Sequence, residues 1–198
     1  MTKDKIKPNQ RLIVAISGAS GAIYGIHALR ALKHAGVESH LIVSKAAGLS
    51  LDAELDMRLE DVHALADVVY KPADIGAALA SGSFQTLGML VAPCSVKTLG
   101  EITTGMTSSL ISRAADVCLK ERRRLVLMVR ETPLHLGHLR SMAAVTEMGA
   151  IVAPPMPAFY TRPQSLDEMV TQNIARVLAL FDIDVPMQRW GEDISLER

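Results

Sequence analysis

The apolar run at residues 125–129 (LVLMV) identifies the fold class of this 198-residue chain. Five consecutive apolar residues suit a strand that is buried on both faces of a parallel sheet. The run stops at the charged pair Arg130-Glu131, and Pro133 cannot donate to a strand ladder. In open α/β sheets, ligands bind just beyond the carboxyl ends of the strands. Arg130 and Glu131 are therefore candidate site residues, with a surface ion pair at the start of a loop as the alternative.

Short apolar runs alternate with helical patterns along the whole chain. The pattern predicts further strands at residues 11–16, 38–43, 68–70, 88–92 and 150–153. It predicts a helix of about 14 residues after Gly21 and further helices over 59–66, 96–104, 109–121 and 138–148. Ser165 and Glu168 form a capping box that opens a last helix. This alternation is typical of a three-layer, doubly wound α/β sheet that is mostly parallel.

The length and composition fit one domain with an aliphatic core. The sequence is 49% hydrophobic but only 4% aromatic, as expected when helices pack on a parallel sheet. A domain of this size buries about 70% of its unfolded surface. We predict a polar N-terminal extension at residues 1–10, a single α/β domain at 11–182 and a C-terminal tail at 183–198 that holds Trp190.

The charge balance excludes several classes of partner. With 21 basic and 21 acidic residues, nothing indicates binding to nucleic acid or to an anionic membrane.

The N-terminus lacks the apolar core of a signal peptide, and no apolar run approaches the roughly 18 residues of a membrane span. Cys94 and Cys118 are therefore expected to be reduced thiols. We expect a cytoplasmic protein.

Four predicted strands end in residues that suit an anion. The first leads into the turn Ser17-Gly18-Ala19-Ser20-Gly21, whose N–H groups, at the start of a helix, favour phosphate. The others lead into Ser44-Lys45, residues 94–98 (CSVKT) and Arg130-Glu131-Thr132. Because the carboxyl ends of parallel strands share one edge of the sheet, these hydroxyls and cations predict a pocket for a phosphate-bearing cofactor.

The glycine spacing narrows the choice of cofactor. Gly18, Gly21 and Gly25 do not form the G-x-G-x-x-G pattern of dinucleotide binders. The end of the second strand holds Ser44-Lys45 in place of the acid that binds the ribose of NAD. A Walker-type loop is absent as well, which argues against nucleotide hydrolysis. The residues alone leave NADP(H) and a mononucleotide such as FMN open.

Three other groups of residues have simpler interpretations. His135 and His138 are three apart, but Leu136-Gly137 between them indicates a loop or helix start, and we expect no metal site. Cys94 follows a strand and could be a nucleophile, although a small buried thiol is the favoured interpretation. Lys120 begins a cationic helix end that suits the helix dipole, and it is the member best placed to reach a site.

Several motifs together resemble the UbiX-type flavin prenyltransferases, over residues 10–192. They lie at residues 17–25, 44–47, 81–83, 93–99, 113–117, 119–123, 130–133 and 159–160. The resemblance implies a flavodoxin-like Rossmann fold, assembled as a dodecamer with sites shared between subunits. It implies metal-independent transfer of the dimethylallyl group of dimethylallyl phosphate to N5 and C6 of reduced FMN. The prenylated FMN then serves a UbiD-type decarboxylase.

The resemblance also implies roles for individual residues. The FMN-binding positions are Gly18, Ala19, Ser20, Ser44, Ser95, Val96, Lys97, Thr98 and Arg130. The positions that bind or line the prenyl phosphate pocket are Tyr160, Arg176, Lys120, Arg113 and Glu131, and Glu54 matches a further acid. Glu131, Ser20 and Lys120 are the expected catalytic residues. Arg176 projects from the side of its helix opposite the apolar stripe, as a residue of a shared site would.

Three alternatives remain. A flavin-dependent cysteine decarboxylase of the same fold is expected to carry Asn in the motif at residues 93–98 and in a Pro-x-Met-Asn loop, and Pro155-Met156-Pro157 lacks it. A flavodoxin-like electron carrier is usually acidic. A non-catalytic flavin carrier would not need Glu131, Tyr160 or Arg176. The sequence leaves open whether the donor is a monophosphate or a diphosphate, and whether the product serves quinone synthesis or breakdown of an aromatic acid.

Overall fold

The computed structural model describes residues 10–194. Within this range six parallel strands form one sheet in the order β3-β2-β1-β4-β5-β6. The strands are β1 (Arg11–Ile16), β2 (Glu38–Val43), β3 (Val68–Tyr70), β4 (Gly88–Cys94), β5 (Arg124–Val129) and β6 (Ile151–Val152). If the three-residue edge strand β3 is left out and the other five strands are renumbered along the chain, their order is 2-1-3-4-5, as in flavodoxin-like sheets. The predicted fold class is confirmed.

Helices cover both faces of this sheet. They are α1 (Ala22–His34), α2 (Lys45–Glu54), α3 (Leu59–His63), α4 (Val96–Thr103), α5 (Leu110–Lys120), α6 (Leu136–Glu147) and α7 (Leu166–Leu178). Single turns of 3₁₀ helix lie at Ala78–Ala80, Phe159–Thr161 and Ala179–Phe181. Helices α1, α2 and α7 share one hydrophobic cluster with the sheet, and α4, α5 and α6 share the other.

Strands β1, β4 and β5 are almost entirely apolar because both of their faces are buried. In β1, Leu12 and Val14 point into the cluster beneath α1, while Ile13 and Ala15 point into the cluster beneath α5. Helix α5 buries the residues predicted to face inward, which are Leu110, Ala114, Val117 and Cys118. Two layers of aliphatic side chains, one on each face, therefore hold the sheet between its helices, and the carboxyl edge of the sheet is left for loops.

Helix α2 is the element that the sequence pattern did not predict. It buries only Ala47 and Leu51, so its apolar repeat is incomplete, and Gly48 interrupts residues that otherwise favour a helix. Its start carries a recognisable signal nonetheless. Ser44 is the N-cap, and its hydroxyl accepts a hydrogen bond from the N–H of Ala47 at 3.1 Å.

Several boundaries differ from their predictions by a few residues. Helix α6 begins at Leu136, two residues before the predicted start, because Nδ1 of His135 accepts from the N–H of Gly137 at 3.0 Å and caps the helix. Strand β4 continues past residue 92 to Cys94. Ser165 caps α7 as predicted, but Glu168 reaches back to the N–H of Gln164 at 2.7 Å instead of to Ser165.

The C-terminal residues pack on the face of α1 and α7. Ile183 and Val185 are buried in that cluster, and the ring of Trp190 lies edge-on to Tyr160 with centroids 5.4 Å apart. The predicted extension at residues 1–10 lies almost entirely outside the described residues, so the division into extension, domain and tail stays a prediction. Every helix between residues 10 and 194 is too short or too polar to span a bilayer.

Candidate functional site

A cleft of about 760 Å³ opens at the carboxyl edge of the sheet, beside the neighbouring strands β1 and β4. Successive connections leave these strands toward opposite faces, which makes this the topological switch point where doubly wound sheets bind ligands. All nine predicted FMN positions and Glu131 line the cleft, namely Gly18, Ala19, Ser20, Ser44, Ser95, Val96, Lys97, Thr98, Arg130 and Glu131. The structure thus brings these ten residues together, and their individual roles stay predictions.

Ser17 fixes the loops that form the floor of the cleft. Its buried hydroxyl donates to the carbonyl of Pro93 at 2.9 Å and accepts from the N–H of Ser95 at 2.8 Å. The next residue, Gly18, lies so close to α2 that a Cβ there would be 2.5 Å from Cβ of Ala46. The turn after β1 is therefore held against both β4 and α2. Sequence reasoning placed Ser17 in the turn but did not identify this bridging role.

Three helices begin at the cleft. Ser44, Ser95 and Ser109 are the N-caps of α2, α4 and α5, and each lines the cleft. Their hydroxyls accept from the N–H three residues on, at 3.1, 3.3 and 3.4 Å. The remaining N–H groups and the positive dipole ends of these helices favour a phosphate dianion. The cleft therefore has the electrostatics of a phosphate site without any metal.

The start of α1 is occupied by a carboxylate of the chain itself. Oε2 of Glu54, the last residue of α2, accepts from the N–H of Gly21 at 2.8 Å. Because that N–H already has an anionic partner, the glycine turn is less available to phosphate than the sequence indicated. The starts of α2, α4 and α5 are the better phosphate positions. Glu54 lies beside the turn that forms one wall of the cleft, and its role as a substrate-binding acid stays a prediction.

The charged residues of the cleft have defined partners. The N–H of Arg130 donates to the carbonyl of Cys94 at 3.0 Å, and Oε1 of Glu131 accepts from the N–H of Thr132 at 2.9 Å. The contact of Arg130 continues the pairing of β5 with β4 beyond Val129, and both Arg130 and Glu131 line the cleft. Tyr24 lies near Arg130. Burial raises the pKa of Tyr24, and the positive charge of Arg130 acts in the opposite direction.

The two cysteines are not nucleophiles. Burial raises the pKa of Cys94 to about 12 and that of Cys118 to about 12, so both thiols stay protonated near neutral pH. The interpretation of Cys94 as a buried thiol is confirmed. His135 and His138 stack with ring centroids 3.6 Å apart at the start of α6, and the interpretation of Leu136-Gly137 as a loop or helix start is confirmed.

The other predicted substrate residues lie outside the cleft of their own chain. Tyr160 and Arg176 line a separate groove beside Trp190. Arg113 donates to the carbonyl of Ala80 at 3.1 Å, and Lys120 pairs with the adjacent glutamate. Helix α5 starts at the cleft and runs away from it, so Lys120 lies about 16 Å along the helix axis from Ser109. One chain thus presents the predicted residues in three places.

The cleft fits a phosphorylated flavin in its chemistry. Helix starts and the cations Lys45, Lys97 and Arg130 provide the polar lining, and Leu49 and Ile111 contribute an apolar lining suited to a planar ring. The fold and the cleft together define an α/β protein that binds a phosphorylated mononucleotide at its switch point.

Comparison with known proteins narrows this class. The Flavoprotein family model matches residues 2–177. The flavin prenyltransferase UbiX of Escherichia coli K12 is 56% identical over 185 residues, which cover 91% of this chain and 98% of that protein. The chain belongs to the Flavoprotein family and, within it, to the UbiX-type flavin prenyltransferases.

Two solved structures share the fold over nearly the full length. The crystal structure of AnUbiX (PadA1) in complex with FMN and dimethylallyl pyrophosphate has a TM-score of 0.91 and 48% identity, and covers 92% of this chain and 98% of that one. A dodecameric FMN-dependent UbiX-like decarboxylase from Escherichia coli O157:H7 has a TM-score of 0.88 and 47% identity, covering 91% and 98%.

Proposed function

We propose that this chain is a flavin prenyltransferase that joins a dimethylallyl group to N5 and C6 of reduced FMN. The observation that carries the proposal is the convergence of Arg130 and Glu131 with three helix starts in one cleft. A cofactor-binding module that only carried flavin would need the helix starts but not the carboxylate. Membership of the UbiX-type prenyltransferases supports the same activity.

The residues of the cleft suit a reaction in which phosphate leaves. Reduced FMN, when bound, supplies the nucleophilic ring atoms. Arg130 faces the cleft and can offset the negative charge that grows on the departing phosphate oxygen, an effect that is often the largest in such catalysis. Glu131 is adjacent and is the proposed proton donor or acceptor for that phosphate. Ser20 lines the same cleft, and we propose that it lies near N5 of the bound flavin.

The remaining predicted residues do not line the cleft of their own chain. Tyr160 and Arg176 line a separate groove, and Arg113 and Lys120 lie along α5, so we propose that other subunits supply these four residues to a shared site. The dodecameric structure of the UbiX-like relative supports an assembly of that kind. We further propose a cytoplasmic location, consistent with two buried thiols, and a UbiD-type decarboxylase as recipient of the prenylated FMN.

The test is an anaerobic reaction followed by mass spectrometry. Purified protein is mixed with reduced FMN and dimethylallyl phosphate without added metal, and the extracted flavin is weighed. We expect a flavin heavier by one prenyl unit. A parallel reaction with dimethylallyl diphosphate decides the donor, which matters because the AnUbiX complex holds the pyrophosphate.

Two controls separate the alternatives. Omission of protein measures uncatalysed alkylation, and in a third reaction a cysteine-terminated peptide and oxidised FMN replace the prenyl donor and the reduced FMN, because decarboxylation of the cysteine needs the flavin as its two-electron acceptor. Unmodified FMN that stays bound to the protein with either donor would contradict prenyl transfer and favour a carrier. Loss of carbon dioxide from the peptide would identify a cysteine decarboxylase instead.

A further inference from the structure

Glu101 on α4 is a carboxylate in the wall of the cleft with no role in the proposed reaction. Its Oε1 accepts from Nζ of Lys97, one helical turn earlier, at 2.6 Å, and from the hydroxyl of Ser108 at 2.8 Å. All three residues line the cleft. Lys97 is a proposed FMN-binding residue, and in the structure its ammonium is directed toward Glu101.

This contact differs from an ordinary ion pair on an exposed helix. The side chain of Glu101 is only 12% exposed, whereas that of Lys97 is 79% exposed. Burial acts to raise the pKa of Glu101, but the hydrogen bonds from Lys97 and Ser108 outweigh it, and the pKa lies below its ordinary value. Glu101 is therefore an ionised and largely buried group, and Lys97 is the exposed partner that contacts it from the solvent side.

We propose that Glu101 competes with the phosphate of FMN for the ammonium of Lys97 and thereby keeps flavin binding reversible. The inference rests on the proposed function, in which FMN binds with its phosphate near the start of α4. Lys97 is the second residue of α4, and its side chain reaches Glu101 by pointing away from that start. A phosphate at the helix start must draw Lys97 off Glu101 or bind without it.

A flavin prenyltransferase gains from such a competitor. Its flavin is a substrate and its product has to leave for a second protein, so very tight phosphate binding would slow turnover. The other cations lining the cleft, Lys45 and Arg130, are available to phosphate, and Glu131 is the other carboxylate there. Glu101 acts on phosphate only through Lys97, which makes it a positioning residue.

Equilibrium titrations with oxidised FMN and riboflavin test the proposal, because riboflavin lacks the phosphate. We expect Glu101→Gln, which can still accept from Ser108, to lower the Kd for FMN about two- to fivefold, the effect of one solvent-screened ion pair. The Kd for riboflavin should not change. Stopped-flow release of FMN should slow by the same factor.

A double-mutant cycle isolates the pair. Lys97→Met alone removes the cation for which Glu101 and the phosphate compete and should weaken FMN binding, whereas adding Glu101→Gln to Lys97→Met should leave the Kd for FMN unchanged, because Glu101 acts only through Lys97. Glu147→Gln, an exposed glutamate at the far end of α6, is the matched control and should leave both Kd values unchanged.

Several results would overturn the proposal. Weaker FMN binding by Glu101→Gln would mean that Glu101 supports the wall of the cleft. An equal effect on riboflavin would mean that the phosphate is not involved. If Glu101→Gln does not fold, a Lys97→Met variant that binds FMN as tightly as the wild type would also contradict it. Absence of FMN binding by the wild type would instead refute the proposed function.

Discussion

Ser17 illustrates how much of the cleft depends on a single hydroxyl. It joins the loops after β1 and β4 through two hydrogen bonds of 2.9 and 2.8 Å, and it is almost completely buried. Ser17→Ala would leave the N–H of Ser95 and the carbonyl of Pro93 with one partner fewer. We expect the free energy of unfolding to fall by about 1–3 kcal/mol. Urea unfolding followed by circular dichroism measures this.

The same substitution should weaken flavin binding, because Ser95 caps α4 at the cleft. Ser17→Thr is the matched variant, since it keeps the hydroxyl and adds only a methyl group. Flavin fluorescence titrations are expected to rank wild type above Ser17→Ala in affinity. If Ser17→Ala were as stable as the wild type, the hydroxyl would not hold the two loops together.

Glu131 permits a test of chemistry separate from binding. Glu131→Gln keeps the shape of the side chain and an oxygen that can accept from the N–H of Thr132. We expect FMN to be retained while prenylation slows at least about tenfold, the low end for loss of an acid–base group. Single-turnover mass spectrometry at saturating donor measures the rate. Unchanged turnover would remove Glu131 from the mechanism, and Glu147→Gln serves as the control.

At the scale of elements, the sequence predicted the buried strands well and α2 poorly. Strand β5 is apolar because helices cover both faces of the sheet, so nearly every residue of the strand is buried and the strand is visible in the sequence as a continuous apolar run. Helix α2 buries two residues only and is held in place by the glycine turn and the Glu54 contact, which no local pattern reveals. His135 as the N-cap of α6 was missed because histidine is not among the usual caps.

Two buried histidines couple the packing of elements to pH. His27 connects α1 with α7 through Thr171, at 3.2 Å, and His40 lies in β2 between Glu38 and Tyr70. Burial lowers the pKa of His27 against the opposing charge of Asp167, and burial lowers the pKa of His40 against its hydrogen bond to Glu38. The folded state therefore binds a proton at these sites less readily than the unfolded chain does.

The sign of the pH dependence follows from these lowered pKa values. Above the unfolded pKa of about 6.5, these histidines are neutral in both the folded and the unfolded state, and their effect on the free energy of unfolding is nil. Below that pH the unfolded chain gains protons first, so the free energy of unfolding falls until the pH reaches the folded pKa. The slope is at most about 1.4 kcal/mol per pH unit for each histidine. Urea unfolding at several pH values between 7.5 and 5.5 measures this dependence. The free energy of unfolding should change less with pH in His27→Gln than in His34→Gln, a control variant at the exposed histidine of the same helix. A stability that rises on acidification would contradict this.

At the scale of the whole molecule, the cleft was predictable from the strand pattern, whereas the proposed shared site was not. Carboxyl ends of parallel strands meet at one edge, so Gly18, Ser44, Ser95 and Arg130 had to converge once the strands were recognised. Nothing in the local pattern around Tyr160 or Arg176 relates them to that edge. Only the family resemblance gave them a role, because contacts between subunits leave no periodic signal in one chain.

Arg176 lies in a groove separate from the cleft, so we expect it to affect binding of the prenyl donor and not binding of the flavin. Arg176 is exposed beside Tyr160 and Trp190, outside the cleft of its own chain. We expect Arg176→Ala to raise the concentration of dimethylallyl phosphate needed for half-maximal rate while FMN stays bound. Steady-state kinetics with a flavin-content measurement decides this. Loss of bound FMN instead would show that Arg176 has another role.

Mixing two impaired variants tests whether subunits share the site. Glu131→Gln and Arg176→Ala chains are mixed in equal amounts, unfolded and reassembled together. If Glu131 and Arg176 of one site come from different subunits, roughly a quarter of the sites in this random mixture have both wild-type residues. At low donor concentration, where each variant alone is nearly inactive, the mixture should therefore recover about that fraction of wild-type activity. If one chain supplied both residues, no site in the mixture would be intact. Activity no higher than that of the separately reassembled variants would thus refute the shared site.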